Sequence, residues 1–222
     1  SQLEKAVSEE YTRALAIARQ LSRERKKAAL DLAAKLEKEL STLGMKKVRF
    51  QIHLAPGEGE KAQGGPGPRL HEKGLDQVEF LLSPNPGEDL KPLAKIASGG
   101  ELSRIMLAMK RIFAEETMVK TLIFDEVDAG IGGGIAEIVG RKLKEISRNH
   151  QVFCITHLPQ IASFADSHYR VTKRESGGRT YVDVKRLSEE ERLEEVARML
   201  GGLKITGKTI DHAREMLRNA RQ

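Results

Sequence analysis

The 222-residue chain is 39% hydrophobic and 32% charged, and no apolar run approaches the roughly 20 residues a membrane-spanning helix requires. A single cysteine, Cys154, excludes an internal disulfide framework and fits a reducing compartment. Against 32 acidic residues stand 38 Lys and Arg, a net charge of +6 that permits nucleic-acid binding without demanding it. No basic-then-apolar leader opens the chain, so the expectation is a cytoplasmic protein with no membrane partner. Beginning at Ser1 without a methionine, it reads as a piece cut from a longer protein.

Residues 1–43 contain no Gly or Pro and are rich in Ala, Leu, Lys, Glu and Arg. Leu3, Val7, Ala14, Ile17, Leu21 and Ala28 keep a three-four spacing, and Leu32, Leu36 and Leu40 continue it with a shifted phase. This predicts a helix of about 40 residues, some ~60 Å long. One apolar stripe on so long a helix needs a partner helix, so the segment reads as one arm of an antiparallel coiled coil. The alternative is an ordinary long core helix.

Residues 44–222 read as a mixed α/β lobe. Val48, Phe50, His53 and Leu54 predict a strand, followed by a Gly/Pro-rich loop from Pro56 to Pro68 and a second strand over Val78–Leu82. A helix follows Ser98, with Leu102, Ile105, Met106, Met109, Ile112 and Phe113 on its apolar face. Leu122, Ile123 and Phe124 form a short apolar strand, a helix runs from about Ile135 to Ser147, and Val152–Ile155 is a second apolar strand. Strand, helix, strand with apolar strands indicates a parallel sheet covered on both faces. Tyr169–Lys173 and Thr180–Lys185, joined through Gly177 and Gly178, predict a hairpin. Helices near Glu189–Leu200 and from Thr209 onward close the chain.

Three elements carry chemistry. Asp125 and Glu126 stand at the carboxyl end of an apolar strand, where open α/β sheets bind ligands. Asp125 suits a Mg²⁺ ion held through water, and Glu126 suits orienting or deprotonating an attacking water. Many surface strands nevertheless end in acidic residues. Ser98 and Glu101 have capping-box spacing, which leaves Gly99 and Gly100 unexplained; two glycines at a helix N-terminus expose amides to an anion, so phosphate is the better reading. His157 ends the second apolar strand and comes beside Asp125 if the two strands are neighbours. Cys154 and His157 are spaced like half a zinc site, but no second ligand pair follows.

In this order and spacing the elements resemble the ABC-type ATPase heads of the SMC-like chromosome and repair proteins. Pro84-Asn85-Pro86-Gly87-Glu88 and Leu93 to Ala108, through Ser98-Gly99-Gly100-Glu101, resemble the signature region. Asp125 to Gly133 resembles a Walker B strand with its D-loop, and Thr156 to Ala162 a switch region. The resemblance is closest to the branch that repairs double-strand breaks by recombination. It implies the C-terminal lobe of an ATPase head at residues 44–222 and a returning coiled-coil arm at 1–43. It implies Mg²⁺ on Asp125, a catalytic base in Glu126, and a γ-phosphate contact from His157. Ser98, Gly99 and Gly100, with Glu101 beside them, would cap ATP held by an opposing head, and Asp128 would communicate across the head–head interface. The implied partners are the N-terminal half of the same protein, a second head joined through ATP, and double-stranded DNA or its ends. The implied setting is the bacterial cytoplasm beside the nucleoid. The isolated chain is then expected to be nearly inactive.

One string invites a different reading. Gly202-Leu203-Lys204-Ile205-Thr206-Gly207-Lys208-Thr209 matches the phosphate-loop pattern literally. A working loop leaves a buried strand, whereas Arg192–Leu200 is amphipathic and helical, so Gly201-Gly202 reads as a helix stop and Thr209 as the next N-cap. Basic clusters at Arg23–Lys27, Lys46–Arg49, Lys173–Arg179 and Lys185–Arg186 read mainly as solvated faces. If they meet DNA, the binding is independent of sequence and falls steeply with salt. Other readings are a different SMC-like ATPase, a transporter subunit, which the coiled-coil lead-in opposes, or a non-catalytic DNA-binding or dimerisation module.

Overall fold

The computed structural model describes residues 1–56, 68, 70–95, 98–113, 121–202 and 204–221. Most of the Gly/Pro-rich loop (57–67), Ile96 and Ala97 of the signature region, and Leu203 of the phosphate-loop-like string lie outside the described residues. The chain divides into two compact units, Ser1–Ser41 with Met45–Ala97, and Thr42–Gly44 with Ser98–Gln222.

The first unit begins with α1 (Gln2–Thr42), the 41-residue helix that the uninterrupted helix-forming composition dictates. Strands β1 (Arg49–Pro56) and β2 (Asp76–Ser83) pair antiparallel with Phe50 opposite Leu82 and Ile52 opposite Phe80, and the short β3 (Lys91–Pro92) adds to β2. Leu36 and Leu40 of α1 are fully buried, and Glu37 accepts a 2.8 Å bond from the Phe50 amide. Arg25 and Ser22 both bond Asp76, at 3.2 and 2.6 Å. These bonds tie the helix to the sheet. The compact units therefore do not follow the 1–43 and 44–222 division expected from composition, because the helix and the sheet share a core. Nearer the N-terminus Leu3, Val7 and Ile17 stay exposed, as does Leu30, so much of the stripe is uncovered among the described residues.

The second unit holds α2 (Gly99–Ile112), β4 (Thr121–Phe124), α3 (Gly133–Ile146), β5 (Gln151–Cys154) and α4 (Pro159–Ala162). Strands β4 and β5 are parallel neighbours, with Phe124 opposite Cys154. The hairpin of β6 (Tyr169–Ser176) and β7 (Arg179–Arg186) and the helices α5 (Glu189–Gly201) and α6 (Gly207–Asn219) follow. Val196 and Ala197 of α5 pack against Ala213 and Leu217 of α6.

The structure corrects three details. The parallel pair is covered on one face only: Leu122 and Phe124 are buried, while Ile123 is 71% exposed and Phe153 and Ile155 also face outward. Alternation along a strand puts neighbours on opposite faces, and in this chain the second face has no cover among the described residues. On α2 the buried face is turned from the expected one. Ile105 is buried together with Leu107 and Ala108, whereas Leu102 and Met106 are exposed. The N-cap of α6 is Thr206, one turn before Thr209; Thr209 occupies the third helical position and completes a capping box with Thr206. The phosphate-loop-like string thus runs from a helix stop at Gly202 to a helix start at Thr206, and the element in front of it is the helix α5.

Candidate active site

Strand β4 ends by turning Phe124 inward and releasing Asp125 and Glu126 to the surface. The turn is tight: the Glu126 amide donates to the Asp125 carboxylate at 2.9 Å, and Ala129 donates to the Glu126 carbonyl at 3.0 Å. Glu126 takes a left-handed backbone, φ 54°, a conformation costing roughly 1–3 kcal/mol for an ordinary residue and found mainly where surroundings impose it. The surroundings are the strand behind it, the loop bonds after it, and α2 alongside. Pairing with β5 extends one residue past the strand, where the Ile155 amide donates to the Phe124 carbonyl at 2.9 Å. This brings residues 155–157 beside the acidic turn.

Helix α2 starts against the same turn. Its N-cap Ser98 accepts from the Glu101 amide at 3.4 Å, so half of the capping box is formed. Two side chains one turn later strap the helix to the loop. Ser103 Oγ donates to the Asp125 carbonyl at 2.6 Å, and the buried Arg104 guanidinium donates to the Ala129 carbonyl at 2.7 Å. Burial pushes the Arg104 guanidinium below its usual range, partly opposed by Glu101. The approach is close at both glycines of the helix start. A Cβ at Gly99 would stand 2.3 Å from the Glu126 Oε2, and one at Gly100 would stand 2.7 Å from the Ala129 Cβ and 3.0 Å from its carbonyl. Gly100, which is buried against the loop, therefore carries a packing duty, whereas Gly99 is exposed and meets only the end of the Glu126 side chain.

Asp128 sits in the loop with its side chain 4% exposed. Its Oδ2 accepts from Thr156 Oγ1 at 2.5 Å and from the His157 amide at 2.9 Å, and lies 3.0 Å from His157 Nδ1. The carboxylate assigned by resemblance to a head–head interface is thus engaged inside its own chain, because a buried carboxylate needs donors and the switch segment supplies them. Cys154, opposite Phe124, is pushed up to about 12 by burial first and then by the charges of Asp128 and Asp125.

The structure brings Gly99, Gly100, Asp125, Glu126, Asp128 and His157 to the carboxyl end of the β4–β5 pair. Lys208 lies in the first turn of α6, and Cys154 and His157 gather no metal cluster with other ligands among the described residues. Asp125 alone cannot hold a metal. It fits Mg²⁺, which keeps much of its water and takes one or two carboxylates together with substrate phosphates. Ser103, Arg104 and Thr156 form the frame of the site, and sequence reasoning gave them no role although they lie inside the recognised motifs. Their signal was adjacency to motif residues, which names neighbours without saying which bonds they form.

The fold is that of part of an Smc head domain. An Smc head domain with coiled coil and joint from Pyrococcus yayanosii superposes with TM-score 0.54 at 21% identity, over 88% of this chain and 34% of that one. An Smc head with an extended coiled coil bound to the C-terminal domain of ScpA, from Pyrococcus furiosus, gives TM-score 0.51 at 19% identity, over 90% of this chain and 44% of that one. No protein-family profile matches the chain.

Sequence likeness is more particular than the fold. The chain is 46% identical over 194 residues to the DNA repair protein RecN of Halalkalibacterium halodurans, covering 87% of this chain and 33% of that protein. It is 44% identical over 207 residues to RecN of Bacillus subtilis (91% and 36%) and 43% identical over 221 residues to RecN of Treponema pallidum (99% and 38%). The chain corresponds to the C-terminal part of the RecN proteins and spans about a third of the length of these relatives.

Proposed function

We propose that this chain is the C-terminal lobe and one coiled-coil arm of a RecN-type ATPase that acts in recombinational repair of DNA double-strand breaks. The observation that carries the reading is the meeting of three motifs at one strand end: the glycine start of α2, the Asp125-Glu126 turn, and the His157 switch held by Asp128. The likeness of sequence to RecN proteins supports it.

In this reading Glu126, exposed beside the metal-bearing carboxylate, takes the proton of the water that attacks the γ-phosphate. Asp125 would help to hold Mg²⁺ together with the nucleotide phosphates, and the bound ion would supply neutralisation of charge on the phosphate oxygens. His157 meets the γ-phosphate from the neighbouring strand. The amides at Ser98, Gly99 and Gly100, which open α2, serve as an anion site for the nucleotide of a second head. ATP then joins two heads, and hydrolysis releases them. A phosphate loop must come from the N-terminal half of the same protein, so this chain alone hydrolyses ATP poorly. The larger assembly engages double-stranded DNA or DNA ends in the bacterial cytoplasm, at the nucleoid. No helix among the described residues is long and apolar enough to cross a membrane.

The test is Glu126→Gln in the complete protein. Turnover is expected to fall by at least about a hundredfold, in the range that loss of a general base gives, while nucleotide binding and head association persist. Unchanged turnover would overturn the reading and favour a scaffold that merely retains the motifs.

A further inference from the structure

We infer that Asp128 is a positioning residue for the switch histidine: it fixes the His157 ring with Nδ1 turned inward and protonated, so that Nε2 faces the nucleotide. The inference rests on the reading above, in which His157 meets the γ-phosphate.

Three donors converge on one oxygen. Thr156 Oγ1, the His157 amide and His157 Nδ1 lie 2.5, 2.9 and 3.0 Å from Asp128 Oδ2. The two partners sit in opposite environments, the Asp128 side chain being 4% exposed and that of His157 74% exposed. An ionised carboxylate only accepts, so the nitrogen facing it carries the proton. The two ring nitrogens lie on opposite sides of the imidazole. Holding Nδ1 against a buried group therefore turns Nε2 outward.

The rest of the segment is fixed by the same carboxylate. Thr156 Oγ1 donates to Asp128 and also accepts from the Leu158 amide at 3.0 Å, so the backbone on both sides of His157 is bound. Asp128 itself is held by the loop whose Ala129 carbonyl takes the Arg104 guanidinium. An exposed imidazole on an unsupported loop would sample many rotamers. Here one is selected before substrate arrives, and such preorganisation raises the rate without adding a contact to the substrate.

The test is a double-mutant cycle on ATP turnover in the complete protein, with ¹⁵N spectra of histidine-labelled protein alongside. His157→Ala and Asp128→Ala are each expected to lower kcat by about a hundredfold, with KM for ATP within a few-fold of wild type. The double variant should be no slower than His157→Ala, since Asp128 serves turnover through its hold on His157. Asp128→Asn keeps an acceptor oxygen in place and should recover most of the turnover. The ¹⁵N spectrum should show His157 protonated at Nδ1 in the wild type and no longer held so in Asp128→Ala. Multiplying losses in the double variant, or an unprotonated Nδ1 in the wild type, would overturn this inference and leave the role of His157 standing. Normal turnover in His157→Ala would overturn both.

Discussion

Gly99 and Gly100 are adjacent, both open α2, and both gain helix propensity on mutation to alanine; the structure nevertheless separates them sharply. A Cβ at Gly99 meets the Glu126 Oε2 at 2.3 Å, and next only the Glu126 Cδ at 3.5 Å. That atom ends a flexible, exposed side chain, so the carboxylate can swing away at little cost. A Cβ at Gly100 meets the Ala129 Cβ at 2.7 Å, the Ala129 carbonyl at 3.0 Å and the Glu126 carbonyl at 3.2 Å. The two carbonyls are loop backbone and the Ala129 Cβ is fixed directly to it, the loop being pinned by Arg104, so relief requires the loop or the helix to move. Overpacking of this kind costs about 1–3 kcal/mol, against roughly 0.8–1 kcal/mol returned by replacing a helical glycine with alanine. Gly100→Ala should therefore destabilise by up to about 2 kcal/mol, while Gly99→Ala should be neutral or slightly stabilising, by no more than about 1 kcal/mol. Urea denaturation of the two variants beside wild type measures the difference. In the complete protein Gly99→Ala should still lose turnover, because it displaces the Glu126 carboxylate. The packing argument is refuted if Gly100→Ala is as stable as wild type, or if Gly99→Ala is the more damaging of the two.

Three further outcomes follow from the same geometry. Cys154, with its thiol pushed up to about 12, should react with iodoacetamide at pH 8 far more slowly in the native chain than in urea. Since the folded state keeps a proton that the unfolded chain sheds above the ordinary value of 9.0, this thiol should lower stability as pH rises from there towards about 12, and Cys154→Ala should flatten that slope in urea titrations. Arg104→Met exchanges a buried guanidinium bond for apolar packing, so global stability should change by less than about 1.5 kcal/mol. Amides 127–131 should meanwhile exchange faster with deuterium, and a loss above about 3 kcal/mol would mean the guanidinium stabilises far more than the Ala129 carbonyl bond implies. Finally, calorimetry should detect no tight Mg-ATP binding to the isolated chain and no change in Lys208→Ala; tight binding abolished by that substitution would restore the α5–α6 connection as a nucleotide loop.

Much of the molecule follows from local chemistry. A run of helix formers without Gly or Pro before Gly44 yields the 41-residue α1, and Gly177-Gly178 turns the β6–β7 hairpin, both φ values being positive. The glycines after Leu200 end α5, and the amphipathic character of Arg192–Leu200 was enough to deny the following string a strand. The acidic turn after β4 and the Ser98 cap of α2 were equally legible, since strand ends and caps are set by residues within a few positions of each other. These features depend on backbone preferences and nearest neighbours, which a sequence states directly.

What the tertiary structure alone decided is where long-range partners lie. The resemblance gives Asp128 a place at a head–head interface, but the parallel pairing of β4 with β5 brings residues 156–157 over it and buries it among their donors. The turn of α2 that hides Leu107 and exposes Met106 is set by the straps from Ser103 and Arg104, and no helical periodicity encodes them. The left-handed backbone at Glu126 is imposed by its surroundings against the preference of the residue itself. Glu37 and Phe50 join helix to sheet across 13 positions, and so move a boundary that composition placed at Gly44. In each case the deciding energy comes from contacts between residues distant in sequence, which form only after the chain has folded.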